Sequence, residues 1–158
     1  QFLNGIKLLG KYDYSYDILV FPHQLGSVLE LTKKFPNQKF VIDHIGKPYI
    51  FDNFYYGWAT LIKEIGKQEN VYCKFSGMIT EADHKNWKKE QIEPYMDLVM
   101  ESFGSRKLMF GSDWPVCLIA GNYSEVKKLV TDFISSYSLN EQNLIMYENA
   151  INFYNLKI

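Results

Sequence analysis

Short apolar runs, rich in β-branched and aromatic residues, alternate along the chain with longer amphipathic stretches. Each run ends on a proline, a glycine or a polar residue, which is typical of buried strands followed by turns. The pattern predicts four strands, at residues 16–21, 40–43, 71–76 and 107–110.

The stretches between these runs carry apolar residues at helical spacing, which predicts helices with one buried face. Trp58, Leu61, Ile62 and Ile65 show the i, i+3, i+4, i+7 spacing most clearly. Residues 138–141 (Ser-Leu-Asn-Glu) match a capping box and predict a last helix. The other predicted helical stretches are residues 25–35, 95–103 and 122–133.

The alternation of strands and helices predicts a parallel α/β sheet, because parallel neighbours need a crossover connection, usually a helix. Four β-α units are half of an eight-stranded barrel, and they equally fit a small open sheet. Local periodicity does not separate these two folds. In both of them a ligand binds at the carboxyl ends of the strands.

The composition indicates a globular chain with a substantial core. Of 158 residues, 47% are hydrophobic and 16% are aromatic, which excludes a disordered chain and fits one domain. The net charge is −1, from 17 basic and 18 acidic residues, so nucleic-acid binding driven by bulk electrostatics is not expected. A membrane span needs roughly 18 consecutive apolar residues, and no such run occurs in the sequence.

The cysteines and the first residues bear on where the protein works. Cys73 and Cys117 lack paired-motif spacing, which predicts small core residues in a reducing compartment and hence a cytoplasmic protein. Residues 1–5 contain neither an initiator methionine nor a signal-like pattern. We therefore expect the chain to be the middle of a longer polypeptide.

Two polar residues directly follow predicted strands. Asp113 can accept a proton from water or bind a metal, and the structural alternative is an Asx turn or a helix N-cap. His44 can bind a metal, donate to a carbonyl or move a proton, and the alternative is a histidine held by backbone at a turn. Because parallel strands end at one edge, we expect both side chains to face a common pocket.

Further residues are candidates for substrate contacts. Lys74 alternates with apolar neighbours and should face the inner side of the sheet, where it needs either a structural ion pair or a ligand. Lys47 can hold a carboxylate or hydroxyl group, or be a solvated surface lysine. Trp114 can wall a pocket or belong to the core, and His23 ends the first predicted strand at the same edge. His84 is predicted to lie in a solvated loop.

Three segments resemble the amidohydrolase-2 branch of the amidohydrolase superfamily. They are residues 40–48 (FVIDHIGKP), 72–77 (YCKFSG) and 103–116 (FGSRKLMFGSDWPV). The tail at residues 148–156 (ENAINFYNL) is similar to the C-terminal helix of that branch. The sugar-lactone hydrolases, namely L-fuconolactonases and L-rhamnonolactonases, are the most similar group, and the resemblance covers nearly the whole chain.

The resemblance implies a (β/α)8 barrel, of which residues 1–158 form the C-terminal half with strands five to eight. His44 then corresponds to the histidine after strand six and Asp113 to the aspartate after strand eight, and both are expected to bind a divalent metal such as zinc where one is present. Lys47 corresponds to a basic residue that holds substrate. The His-x-His pair that relatives carry after strand one is absent from the sequence, so the other ligands are expected in a missing N-terminal half.

The implied reaction is the opening of a sugar-acid lactone by water. Asp113 is the expected general base and His44 the group that polarises the carbonyl, while Lys47, Lys74, Trp114 and His23 contact the substrate. A metal-dependent decarboxylase of the same superfamily and a non-catalytic half-barrel are the alternatives. The expected partners are the lactone substrate, the missing N-terminal half of the barrel and further copies of the protein in a homo-oligomer. Without the missing half, the chain is expected to be inactive.

Overall fold

A four-stranded parallel sheet forms the centre of the computed structural model, which describes residues 1–157. The strands pair in sequential order, as predicted. They are β1 (Tyr16–Ile18), β2 (Phe40–Ile42), β3 (Val71–Phe75) and β4 (Leu108–Phe110). The predicted first strand was too long, because residues 19–21 leave the ladder on the way to the turn that starts at Pro22.

Helices connect the strands and continue the chain beyond the last of them. They are α1 (Phe2–Lys11), α2 (Leu25–Lys34), α3 (Tyr56–Gly66), α4 (Lys89–Phe103), α5 (Tyr123–Phe133), α6 (Leu139–Asn143) and α7 (Asn149–Tyr154). A π-helical segment, Leu144–Glu148, joins α6 to α7. The helix α1 was not predicted. Ile158, the last residue of the predicted domain 1–158, lies outside the described residues.

The helix ends follow the capping chemistry of the sequence. The Asn122 side chain accepts a hydrogen bond from the Glu125 N–H at 3.0 Å, and the Glu125 carboxylate accepts one from the Asn122 N–H at 2.8 Å. Ser138 and Glu141 form the same reciprocal pair before α6, as predicted. These caps fix where α5 and α6 begin.

The two faces of the sheet differ in the way the alternation predicts. On the outer face, Phe40, Cys73 and Phe75 are fully buried against the helices. On the inner face, Val41 and Met109 form a second buried cluster with residues of α7. Cys73 and Cys117 are both free and buried, which confirms their prediction as core residues.

The helix α7 crosses the inner side of the sheet near the N-terminal ends of the strands. The Asn149 amide donates to the Leu108 carbonyl at 2.6 Å, and the Phe153 ring packs on Tyr72 with centroids 4.8 Å apart. The Tyr154 hydroxyl donates to Asp17 at 2.7 Å. The polar residues predicted to form a site follow β2 and β4 at the opposite ends of the strands.

An apolar groove runs along β1, which is an edge strand of the sheet, between α1 and α2. Its lining includes Phe2, Leu3, Leu19 and Leu31, and the first three of these are exposed.

Within residues 1–157, no helix combines the length and the apolar character that crossing a bilayer requires.

Candidate active site

The chain after β2 folds into a left-handed turn. His44, Ile45, Gly46 and Lys47 have φ values of 54, 48, 73 and 46° in succession. Such a conformation costs roughly 1–2 kcal/mol for each non-glycine residue, so the surroundings must hold it in place. Ile45 is fully buried, and its carbonyl accepts a hydrogen bond from Trp58 Nε1 at 2.8 Å. Strain of this kind concentrates at functional sites.

The residues that follow β3 contact the His44 ring and position it. Ser76, 2% exposed, places its Oγ 2.9 Å from His44 Nδ1. Gly77 has a φ of 60°, and a Cβ built on it would lie 2.6 Å from His44 Cγ. The absence of a side chain at Gly77 therefore lets the imidazole lie directly on the backbone. The contact between Ser76 and His44 joins residues 32 positions apart, and the sequence does not predict it.

Asp113 faces His44 from the end of β4. Its backbone is also left-handed, with a φ of 55°, and its Oδ1 lies 3.7 Å from His44 Nε2. The Ser112 hydroxyl accepts the hydrogen bond of this turn from the Trp114 N–H at 3.2 Å, which leaves the Asp113 carboxylate directed at the imidazole. The expectation that these two side chains share one edge of the sheet is confirmed.

The surroundings of His44 favour the neutral form of its imidazole. Burial is the main cause that lowers its pKa below the usual value, and the charges of Lys47 and Lys74 act in the same direction. The carboxylates of Asp113 and Asp43 oppose this shift without overcoming it. Since Nδ1 is engaged by Ser76, Nε2 is the ring nitrogen that faces Asp113.

Lys47 is paired within the protein. Its ammonium group contacts the Glu81 carboxylate, and the two side chains are only 19% and 12% exposed. The alternative of a solvated surface lysine is therefore wrong. Glu81 lies 34 residues further along the chain. Local sequence patterns therefore carry no signal of this contact.

Lys74 lies on the inner face and is held by two carboxylates. Its Nζ is 2.6 Å from Asp17 Oδ2 and 2.7 Å from Asp43 Oδ1. Burial lowers the pKa of Lys74, but hydrogen bonds with Asp17, Asp43 and Tyr154 outweigh it and raise the pKa above its usual value. The prediction of an inward-facing lysine with a partner is confirmed, and the partners form a structural ion-pair network.

The aromatic candidates lie nearer to solvent. Trp114 is 64% exposed, so the alternative of a core residue is wrong. His23 is also exposed and stacks on Phe21, with centroids 6.1 Å apart, while its Nδ1 lies 3.4 Å from the Tyr49 hydroxyl. His84 is exposed as predicted, with Nε2 2.9 Å from the Thr80 carbonyl oxygen.

His44 and Asp113 suit part of a metal site. Two ligands of a tetrahedral zinc ion lie about 3.3 Å apart when each is about 2.0–2.1 Å from the metal, and Nε2 and Oδ1 are 3.7 Å apart. Within residues 1–157, no group of three or more histidine, cysteine or carboxylate side chains could hold a metal. The described residues thus offer two donors where a catalytic zinc needs at least three protein ligands.

The family model for amidohydrolases (Amidohydro_2) matches residues 2–156, which include every element described above. The chain belongs to the amidohydrolase family. This amidohydrolase chain is 38% identical over 145 residues to L-fucono-1,5-lactonase of Burkholderia multivorans, a match that covers 86% of this chain and 49% of that protein. It is 26% identical over 180 residues to L-rhamnono-gamma-lactonase of Scheffersomyces stipitis, covering 99% and 54%.

A solved structure shows the same fold. The crystal structure of an amidohydrolase from Burkholderia multivorans with bound zinc superposes with a TM-score of 0.95 at 37% identity, covering 99% of this amidohydrolase chain and 57% of that one. The chain thus spans about half the length of the curated relatives it matches. Its four β-α units are half of a (β/α)8 barrel, and the alternative of a separate small sheet fold is wrong.

Proposed function

We propose that the protein carrying this chain hydrolyses the lactone of a sugar acid. The observation that carries the proposal is the buried His44 ring, whose Nε2 faces the Asp113 carboxylate at 3.7 Å at the carboxyl ends of parallel strands. Barrel enzymes of this kind carry their active sites at that end. The names of the relatives, L-fucono-1,5-lactonase and L-rhamnono-gamma-lactonase, support the substrate class.

Asp113 acts as the general base in this proposal. Its carboxylate accepts a proton from water as the water oxygen bonds to the lactone carbonyl carbon. The ring C–O bond then breaks, and the proton returns to the departing alkoxide. The side chain is 11% exposed, so a water molecule can reach it while the turn at Ser112 keeps the carboxylate oriented.

His44 stabilises the charge that develops on the carbonyl oxygen. Because the imidazole is neutral, it can carry its proton on Nε2 and donate it to that oxygen, or keep a lone pair there for a metal. Its orientation is fixed beforehand by Ser76 and Gly77, so no reorganisation is needed during the reaction. The charge of Lys74 also lowers the pKa of the imidazole and so favours its neutral form.

A divalent metal fits this arrangement in the complete protein. His44 and Asp113 would hold it together with ligands from the other half of the barrel, and the zinc in the Burkholderia multivorans structure supports the choice of metal. A bound zinc ion supplies a Lewis acid that polarises a carbonyl.

The other half of the barrel is the partner that this proposal requires, and residues 1–158 would form the C-terminal half. The apolar groove beside β1 is where a preceding β-α unit would pack, and its exposed Phe2, Leu3 and Leu19 would then be covered. An uncovered strand edge also favours aggregation. The half-barrel alone is therefore expected to be inactive.

Four further residues are proposed to contact or orient the substrate. Trp114 and His23 lie exposed beyond the strand ends, where they can pack on a sugar ring or bond its hydroxyl groups. Lys47 and Lys74 already have carboxylate partners, so they act as ordered ion pairs and not as free cations.

Substitution of Asp113 tests the proposal in the complete protein. Asp113→Asn should lower the turnover of five- and six-membered sugar-acid lactones by about 10²–10⁴-fold, because an amide cannot accept the proton. Asp132→Asn, which changes a carboxylate on the surface of α5 that is paired with Lys128, is the control and should keep full activity. Acid release is the readout. Near-normal turnover by folded Asp113→Asn, or decarboxylation of an aromatic acid in place of lactone opening, overturns the proposal.

A further inference from the structure

The Lys47–Glu81 pair is enclosed at the mouth of the site. Lys47 is the last residue of the left-handed turn that begins with His44, and its charge lowers the pKa of the imidazole. Both partners are mostly buried, at 19% and 12% exposure of their side chains, so this is not a solvated surface pair. An enclosed pair persists where exposed pairs are screened by water and salt.

Both partners are held in place by their own surroundings. The Glu81 carbonyl accepts a hydrogen bond from the Phe51 N–H at 2.9 Å, and the Glu81 N–H donates to Met78 at 3.2 Å. Lys47 is fixed by its turn, and its ammonium group lies 5.4 Å from the centre of the Phe21 ring. The backbone of each partner is thus held by its own segment, and the two side chains meet between these segments.

The charges around His44 are unbalanced in one direction. The described residues place the carboxylates of Asp17, Asp43, Glu81 and Asp113 near this site, against the ammonium groups of Lys47 and Lys74. Every lysine of this set is therefore matched by at least one carboxylate. An anionic substrate that binds among these described residues would be repelled by the excess of carboxylates, because each lysine is already paired. An uncharged substrate is not repelled in this way.

We propose that Glu81 is a specificity-determining residue, which neutralises Lys47 and thereby selects uncharged lactones over lactones that carry a carboxylate. Lys47 then bonds hydroxyl groups of the substrate while its charge stays compensated. Discrimination arises because a second negative charge would have to approach Glu81. The inference rests on the proposed function for its choice of ligands.

Two lactones that differ in one group provide the test. D-glucono-1,4-lactone and D-glucaro-1,4-lactone share a ring, and only the second ends in a carboxylate. In the complete protein, Glu81→Gln should raise the ratio of kcat/KM for the anionic lactone to that for the neutral lactone by about tenfold, because Lys47 becomes an uncompensated cation. Glu64→Gln breaks an exposed pair with Lys67 and should leave the ratio within about twofold.

Binding without turnover provides an independent readout. Added D-glucaro-1,4-lactone should raise the Tm of Glu81→Gln more than that of the parent, while the shift with D-glucono-1,4-lactone stays the same. Adding Lys47→Met to Glu81→Gln should abolish the gain. An unchanged preference in folded Glu81→Gln, by rate and by Tm, overturns the inference. A parent that hydrolyses no five- or six-membered sugar-acid lactone overturns the proposed function, and the Tm shifts still decide the role of Glu81.

Discussion

His44 and Asp113 both adopt left-handed backbone conformations, with φ values of 54 and 55°, and their side chains approach to 3.7 Å. The two residues come from strands that are not adjacent, since β3 lies between β2 and β4. In each case the left-handed residue turns the chain sharply after its strand and directs the side chain over the end of the sheet. Ser76 and Gly77, which directly follow the intervening strand, contact the histidine ring.

Removal of the Ser76 hydroxyl should weaken the site without unfolding the protein. Ser76→Ala deletes the partner of His44 Nδ1, and loss of such an orienting contact typically reduces activity or metal affinity by about 10–100-fold. Ser102→Ala, which removes a hydroxyl that bonds the Leu98 carbonyl within α4, is the matched control. Steady-state rates, zinc titration and the ¹⁵N shifts of the His44 ring measure the effect. Unchanged ring shifts in Ser76→Ala would show that Ser76 does not orient the imidazole.

A methyl group on Gly77 should displace the His44 ring. Gly77→Ala places a Cβ 2.6 Å from two ring atoms and forces alanine to a φ of 60°, which costs roughly 1–3 kcal/mol in the free energy of unfolding. Gly26→Ala, within α2 and with no heavy atom within 4 Å of the added Cβ, should be neutral or stabilising. Denaturant unfolding and lactone turnover compare the two. Equal activities of the Gly77→Ala and Gly26→Ala proteins would mean that activity does not depend on the close contact between Gly77 and the His44 ring.

Stability should fall as the medium is acidified through the range of an ordinary histidine. Burial lowers the pKa of His44 in the folded protein, so below pH ~6.5 the unfolded chain takes up a proton that the folded one refuses. The stability associated with neutral His44 is fully present above that pH and is lost progressively as the pH falls toward the folded pKa. His44→Gln should therefore show a flatter dependence of Tm on pH between about 7.5 and 5.5. An identical slope in parent and variant contradicts this assignment.

Loss of Lys74 should destabilise the inner face. Lys74→Met leaves Asp17 and Asp43 without their cation, and we expect the free energy of unfolding to fall by roughly 1–3 kcal/mol, since the group is partly exposed. Lys39→Met removes a more exposed pair with Asp13 at 3.7 Å and should cost about 1 kcal/mol or less. Urea unfolding distinguishes the two variants. A Lys74→Met protein as stable as Lys39→Met would show that the network contributes no more than a surface pair.

The sequence predicted those elements whose signal is local. The strands were located by apolar runs and breakers, and the cap at Ser138 was located by its spacing to Glu141. The helix α1 was missed because Gly5 and Gly10 lower helical propensity and no side chain caps its start. The helix α4 begins at Lys89, six residues before the start at Tyr95 that the apolar stripe predicted. The prediction began too late because a proline inside a helix is unusual, and Pro94 was therefore a signal against a helix at that point.

The candidate site was predictable only as far as strand ends mark it. His44 and Asp113 were located because they follow strands that a parallel sheet must bring together. The left-handed turn was not foreseen, since Gly46 is its single local signal. The Lys47–Glu81 contact joins residues 34 positions apart through packing, which no periodicity encodes.

The position of α7 gives the order of synthesis a structural meaning. Translation delivers this helix after every strand, yet Phe153 and Tyr154 are the residues that complete the inner layer over Val41, Tyr72 and Met109. A nascent chain therefore cannot complete this inner layer before residues 153 and 154 have left the ribosome. A premature stop codon within α7 would release a chain with its four strands, but with the apolar residues of the inner face exposed to water. Such a chain would be a substrate for chaperones and proteases.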